Sequence, residues 1–421
     1  MPTINGIDYG KTEIAPRRLL AGAARHRSLN AHPDDLPLTG QTLTDHQLTP
    51  LATISREPWR ALAARSLEPN GYYLADWQAA VNAHARERAN VSALSAWTGA
   101  PNVGARQLIG LLPVVSLWRA WKIPLPALIS ADPYGPLGTP LIDGENAEAA
   151  IEALMARART AGARALIIRE LPLDGAVMQL FTQVLAKRGM QPRIIQAYRR
   201  AELDATQDGE ALLRDALGAK KLKELRRQRR RLAEHGEVRF SVARTSEDIP
   251  GALEDFLKLE ASGWKGERGT ALLSHTGDSR FIREAVTTLA ARGECEIVTL
   301  HAGSQPVAAG VILRDRCRAY FFKMGVAEAF AKQSPGVQLT LDITRHLCDA
   351  PGIARADSSA APDHPMIDAI WRGRLHMGDV LIPLRRHDPI TSLIATAATA
   401  RAAVRRKARD LIHLARKRVS N

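Results

Sequence analysis

The 421-residue sequence predicts an α/β (α+β) protein with mixed, largely antiparallel sheets flanked by helices. Three observations carry this expectation. Glu296–His301 (EIVTLH), Pro306–Leu313 (PVAAGVIL) and Cys317–Met324 (CRAYFFKM) are rich in β-branched, apolar and aromatic residues. The short breaks Ala302–Ser304 and Arg314–Arg316 make them a hairpin followed by a third antiparallel strand. Ser334-Pro335-Gly336 then opens a segment in which Val337, Leu341, Thr344 and Cys348 share one helical face and Leu339, Ile343 and Leu347 another. Val337–Ile343 also alternates as a strand would, but the length and the Ser-Pro-Gly start favour a largely buried helix. Finally, helices and strands follow one another in a similar order in the first half, which suggests a duplication.

In chain order, residues 1–50 are rich in Pro, Thr, Asp and His without a sustained period and read as a disordered arm. Trp59 to Trp97 reads as helical, broken at Pro69–Gly71. Arg106–Val115 reads as a strand, and the Pro- and Gly-rich Ser130–Asp143 as loop. Asn146–Arg159 has an acidic start (Glu148, Glu152) and an apolar stripe (Ile151, Leu154, Met155), the pattern of a helix. Ala163–Arg169 is a buried-strand pattern, Met178–Gly189 a helix and Arg193–Tyr198 a strand. The second half reads as a helix at Asp208–His235, a strand at Val238–Ala243 and helices at Ile249–Ala261 and Ser279–Arg292. After the three strands and the Ser334 helix come a short strand at Ile353–Arg355, a loop at Ala356–Asp363 and a helix at His364–Met377. The expected division is an arm over 1–50, domains over 51–205 and 206–390, and a basic amphipathic helix over 391–421.

The net charge of +14 is concentrated in two segments. Lys220–Arg231 carries eight basic residues and one Glu, and the stretch from Thr391 carries eight and one Asp, so together they account for the whole excess. A neutral remainder argues against a general nucleic-acid binder, and no specific nucleic-acid partner is expected. Cys295, Cys317 and Cys348 match no metal motif. They read as buried free thiols in a reducing compartment. Met1–Gly10 lacks the basic and apolar regions of a signal peptide, and Leu108–Trp118 is too short to span a bilayer, so a cytoplasmic location is expected.

A small loop feeding a helix N-terminus leaves backbone N–H groups unpaired and aimed at one point, which suits a pyrophosphate. Several linked motifs extend this reading: Phe256–Glu260 (FLKLE), Ser262–Gly266 (SGWKG), Gly269–Leu272 (GTAL), Ser334–Leu339 (SPGVQL), Asp357–Ala360 (DSSA) and His364–Met366 (HPM), together with Lys220–Arg231. In this order they resemble the CelD-like acetyltransferases associated with cellulose biosynthesis, a GNAT-type family similar to the Fem-type double-GNAT transferases. The resemblance runs from about Trp59 to Leu384. It implies tandem GNAT-like acyl-CoA N-acyltransferase domains and acetyl-CoA or another acyl-CoA as donor, with no metal.

On that reading Lys332, Ser334, Gly336, Val337, Gln338 and Leu339 hold the donor. The sequence departs from the usual GNAT loop in having one glycine, Gly336, and Lys332 as its nearby cation. Asp357, Ser358 and His364 cluster after the last short strand, where the acceptor meets the thioester. Amine acylation needs a base for the attacking ammonium and a proton for the leaving thiolate. His364 has a suitable intrinsic pKa, Asp357 could orient it or act itself, and Glu328 competes as base. Asp357-Ser358-Ser359 is also ordinary turn chemistry, and His364-Pro365 an ordinary helix opening. Trp264 and Lys265, between glycines, suit a substrate loop or an anchor to the core, and Trp371 reads as core. Direct attack is expected, since no Ser or Cys sits in a nucleophile motif. The expected partner is a small-molecule or saccharide acceptor, with weak contact between the C-terminal helix and an anionic membrane surface. A non-catalytic accessory protein and a Fem-like aminoacyl-tRNA-dependent transferase are the rival readings.

Overall fold

The computed structural model describes residues 48–98, 106–263, 266 and 268–419, with side chains as far as residue 408. Trp264, Lys265 and all but the end of the expected arm lie outside the described residues. The strands are β1 (Thr49–Pro50), β2 (Ser92–Trp97), β3 (Leu108–Ser116), β4 (Ala127–Ser130), β5 (Leu141–Ile142), β6 (Ala165–Pro172), β7 (Arg193–Asp204), β8 (Val238–Ala243), β9 (Cys295–Ala302), β10 (Gln305–Asp315), β11 (Arg318–Val326), β12 (Arg355–Asp357) and β13 (Gly373–Pro383). They form one mixed sheet in the order β1-β2-β3-β4-β6-β13-β7-β12-β11-β10-β9-β8, with β5 on β3. The helices are α1 (Arg56–Arg65), α2 (Ala75–His84), α3 (Leu117–Trp121), α4 (Ala147–Thr160), α5 (Ala176–Lys187), α6 (Gly209–Ala233), α7 (Asp248–Ser262), α8 (Thr276–Ala290), α9 (Pro335–Asp349), α10 (Ile367–Ile370) and α11 (Pro389–Val419).

The strand order is palindromic because the chain contains one plan twice. Each half has a short strand (β1; β8), two helices (α1 and α2; α7 and α8) and three antiparallel strands (β2–β4; β9–β11). A helix follows (α4; α9), then a strand parallel to the third of the three (β6 on β4; β12 on β11). Another helix (α5; α10) leads to a final strand (β7; β13). The final strands are exchanged: β7 pairs with β12, β13 with β6, and the two pair with each other at the centre. Met377, Val380, Leu381 and Ile382 of β13 are fully buried there. At about 1.5–3 kcal/mol for each buried large aliphatic side chain, this seam ties the halves together.

Two expected elements differ. The helical reading of Trp59–Trp97 holds for α1 and α2, but Ser92–Trp97 is a strand paired on β1 and β3. Its small residues fit between neighbours on both sides, and that placement outweighs a weak helical spacing. The predicted helix His364–Met377 is one turn, α10, followed by the central strand β13. A Cβ at Gly373 would lie 2.6 Å from the Glu202 carbonyl oxygen, so the chain enters the sheet where only glycine fits. Smaller differences are β4 and β5, which bracket the predicted loop, and a break in α6 at Gly218 (φ +70°).

Cys295 is buried and Cys348 half-buried, whereas Cys317 is exposed in the β10–β11 turn, contrary to a uniformly buried set. Trp371 is core, its indole N–H donating to Thr344 Oγ1 (2.9 Å). The first turns of α11 pack inward through Ile394 and Ala398, while Val404 is exposed. No described helix is long and apolar enough to cross a membrane.

Candidate active site

β11 parts from β12 early. Arg318, Ala319 and Tyr320 pair with Arg355, Ala356 and Asp357. The chain then turns aside, the Ser358 N–H donating to the Ala201 carbonyl of β7 (3.1 Å). The other edge of β11 stays on β10 as far as Val326, with Phe322 bulged. From Phe321 onward β11 therefore shows an edge with no strand partner among the described residues. It faces Ser358–Ala360 across a wedge of about 160 Å³, with His364 on its wall.

α9 begins against the second half of β11. A Cβ on Gly336 would lie 3.0 Å from Met324 Cε and 3.6 Å from Val326 Cγ1. Pro335 is the first helical residue. Ser334 occupies the N-cap at φ +51°, where its side chain makes no capping bond. Capping by a serine hydroxyl normally uses an extended backbone, which this left-handed residue lacks. The Gln338 N–H donates to the Ser334 carbonyl (3.1 Å), whereas the N–H groups of Gly336 and Val337 have no acceptor among the described residues. Of the other residues expected to hold the donor, Lys332 is exposed and Val337 half-buried. Gln338 and Leu339 turn inward: Gln338 Nε2 donates to the Leu225 carbonyl (2.8 Å) and Leu339 is core. What those two offer a ligand is backbone. The Leu225 contact, with Arg229–Asp342 (2.8 Å), lays the basic segment of α6 along α9. Leu222, Leu225 and Leu232 form its buried seam, and Lys221, Lys223, Arg226 and Arg227 are exposed.

Asp357 is fully buried. Its Oδ2 accepts from Arg200 Nη2 (2.5 Å) and its Oδ1 from the Ser359 N–H (2.8 Å). Arg200, equally buried, also donates to the Pro136 carbonyl. The pair thus pins β12, β7 and the 132–138 loop together beside the wedge. Ser358 is buried, and its Oγ accepts from the Ala360 N–H (3.3 Å). His364 Nδ1 accepts from the Ile367 N–H (3.5 Å). Glu328 is exposed outside the wedge, with Oε1 3.0 Å from where a Gly263 Cβ would stand. Ser358 and His364 line the same wedge, whereas Asp357 is buried behind it on Arg200 and Glu328 is not among the residues that line it.

Beside the wedge lies a cleft of about 430 Å³ that shares Phe322, Lys323 and Ser359 with it and adds Asp132, Arg169 and Glu170. This cleft is the first half's own split: β4 pairs with β6 only over Ala127–Ile129. Glu170 stands on β6 at a register shift opposite Asp379, with φ +52°, the kind of bulge that re-aims a side chain. Its N–H donates to Asp379 Oδ1 (3.0 Å). Its Oε2 is buried without a hydrogen-bond partner, 3.9 Å from Arg200 Nη1. Burial, reinforced by the Asp379 and Asp132 carboxylates, pushes Glu170 up to about 7 against the opposing pull of Arg200 and Arg169. Across the cleft, Tyr72 Oη donates to Ser359 Oγ (2.7 Å), leaving the serine proton free. The sequence offers one hint of Glu170: the apolar run Ala163–Ile168 ends in Arg-Glu. Such an ending is usual for any strand terminus.

At the corresponding turn of the first half, ahead of α4, the fully buried Asp143 accepts from the Glu145 N–H (2.9 Å) and Arg65 Nε (2.6 Å).

Residues 219–364 match the family profile of an acetyltransferase (GNAT) domain. Among solved structures, the chain is similar to the crystal structure of FemX at 12% identity and a TM-score of 0.51, over 81% of this chain and 98% of that one. The C-terminal domain of a putative lysylphosphatidylglycerol synthetase from Agrobacterium fabrum aligns at 12% identity and 0.49, over 81% and 95%. A tandem GNAT protein from the clavulanic acid biosynthesis pathway aligns at 13% and 0.37, over 81% and 99%. No curated protein matches the sequence. The chain therefore has a GNAT-like acyltransferase fold built from two copies of one plan, with the profile match falling on residues 219–364 of the second copy.

Proposed function

We propose that the protein transfers an acetyl or acyl group from acyl-CoA to an amine or hydroxyl acceptor, with Glu170 as general base. The observation that carries this reading is a juxtaposition. The edge of β11 beyond its pairing with β12 lines the wedge, and α9 starts against β11 with two N–H groups that have no acceptor among the described residues. The neighbouring cleft is lined by Glu170, whose Oε2 is buried without a hydrogen-bond partner. The donor pyrophosphate lies at the Gly336 and Val337 N–H groups, with Lys332 and the basic face of α6 nearby. The extended pantetheine arm offers amides to the edge of β11 beyond Tyr320, as a peptide strand would. The thioester then faces Ser359 and Glu170. Glu170 takes the proton from the acceptor as its nitrogen or oxygen bonds to the thioester carbon. The C–S bond breaks, and the Ser359 hydroxyl, itself bonded by Tyr72, donates a hydrogen bond to the departing thiolate. The thiolate takes a proton from solvent, and Glu170 releases its proton to solvent. Asp357 and Arg200 position Ser359 and the cleft wall.

The CelD-like resemblance points to a saccharide-linked acceptor in cellulose or exopolysaccharide biosynthesis, in the cytoplasm, with α11 resting weakly on an anionic membrane. The FemX-like fold keeps aminoacyl transfer from tRNA as the second reading; steeply salt-dependent tRNA binding would favour it.

Acetyl-CoA binding measured by calorimetry tests the donor site. Wild type binds saturably. Gly336→Trp weakens binding by more than about tenfold, whereas Gly336→Ala is close to wild type because the Met324 side-chain tip can move aside. Absence of binding by wild type would remove the acyl-CoA reading and put the accessory-protein role first.

A further inference from the structure

We infer that the cavity beneath the C-terminal helix is a subsite for the phosphate group of the acceptor, resting on the acyltransfer reading for what the bound molecule does next. The cavity, about 380 Å³, lies between α11 and the centre of the sheet, and Arg169, Arg401, Arg405, Trp121, Gln196 and Asp379 line it. Arg401 lies flat on Trp121, its guanidinium carbon 4.4 Å from the ring centroid. That stacking holds the planar fork in place before any anion arrives. None of the three arginines forms an ion pair among the described residues. Arg401 is held below its usual range by burial and then by Arg405 and Arg169, with Asp379 opposing.

The carboxylates on these walls offset the three cations only in part. Asp379, hydrogen-bonded by the Glu170 N–H and by Gln196 Nε2 (2.8 Å), supplies one negative charge, and Glu170 titrates near neutrality. Ordinary solvated helix faces carry arginines too, but there like charges can spread apart. Here the half-buried Arg169 and Arg401 line one concavity with Arg405 at its exposed rim, and the mutual repulsion is offset when a dianion binds.

The location adds chemistry. Arg169 and Glu170 line both this cavity and the acceptor cleft, and as consecutive residues their Cα atoms are about 3.8 Å apart. A group anchored on Arg169, Arg401 and Arg405 therefore presents the neighbouring end of the same molecule to the base. The acceptor class is a small amine or alcohol carrying a phosphate, either a soluble phosphomonoester or a phospholipid headgroup.

The test uses the full chain and O-phosphoethanolamine as soluble probe, by calorimetry at constant ionic strength, beside sedimentation with vesicles of phosphatidylglycerol in phosphatidylcholine. Arg401→Ala/Arg405→Ala removes the site. Arg406→Ala/Lys407→Ala removes the same charge from exposed positions outside the cavity. Saturable probe binding that falls at least about tenfold in the first variant only supports the subsite with a soluble acceptor. Vesicle binding lost in the first variant only, without probe binding, assigns the phosphate to a lipid. Equal behaviour of the two variants, or binding to neither ligand, overturns the subsite. Acetyl-CoA affinity is measured in parallel. Its loss from wild type with arginine-dependent phosphate binding intact would sink the donor reading alone, whereas the reverse pattern would sink the subsite alone.

Discussion

Glu170→Gln is expected to lower the acyl-transfer rate by about 10²–10⁴-fold while making the folded protein more stable at pH 8. Both effects come from one carboxylate whose folded pKa lies near 7 rather than at its ordinary 4.5. Burial, Asp379 and Asp132 favour the protonated form, and Arg200 and Arg169 pull the other way. The sign for stability follows. A folded pKa raised above the unfolded value gives stability that is complete below 4.5 and is lost as pH rises through 7, because the fold must then hold a buried charge. The loss amounts to about 1–3 kcal/mol, discounted for the fifth of the side chain that stays exposed. Glutamine never ionises, so the variant should melt higher than wild type at pH 8 and no higher at pH 4. Catalysis runs in the opposite sense: kcat/KM of wild type should rise with pH and level off above about 7, where the base is ionised. A Glu170→Gln enzyme with wild-type rate and pH profile would return the base to Glu328 or His364.

Asp357→Ala is expected to destabilise the fold by about 3–5 kcal/mol in urea denaturation. It leaves Arg200, fully buried, facing an empty site and removes the acceptor for the Ser359 N–H. Asp357→Asn should cost less, because an amide oxygen still accepts one of these bonds. The double variant Arg200→Met/Asp357→Leu should recover much of the loss by removing both charges. This series separates a structural carboxylate from a catalytic one. If Asp357→Asn folds normally at wild-type stability yet has no activity, Asp357 acts on the substrate directly. If stability falls and the folded fraction keeps its rate, its work is to hold Ser359 and β12 in place.

The outer parts of the fold were legible because they depend on neighbouring residues. β9, β10 and β11 are three apolar runs with short turns, and α9 declares itself by Ser-Pro-Gly and two buried faces. The seam of α6 followed from Leu222 and Leu225 spaced along a cationic helix. The centre of the sheet was not legible. β13 reads locally as the continuation of a helix, and it is a strand because β6 and β7 supply hydrogen-bond partners on both edges, from residues some two hundred positions earlier.

The candidate site divides in the same way. Ser334-Pro335-Gly336 marked a helix start with free N–H groups from its own spacing, since those groups are left unpaired by the chain's local geometry. Asp357 drew attention as a carboxylate in a small-residue loop, and only the arrival of Arg200 from β7 buries and pairs it. Glu170, Tyr72 and Arg401 carry no local mark. Their chemistry is created by a bulge against β13, a hydrogen bond to Ser359 and a stack on Trp121, all contacts between distant segments. The sequence by itself determined the repeated order of helices and strands and the helix start of the second half with its unpaired N–H groups, because both rest on short-range periodicity and backbone hydrogen bonding. The tertiary structure alone decided that the final strands exchange, that the two splits share wall residues, and that a half-buried glutamate lines one of them. Burial and charge proximity are properties of the assembled chain, and no run of neighbouring residues contains them.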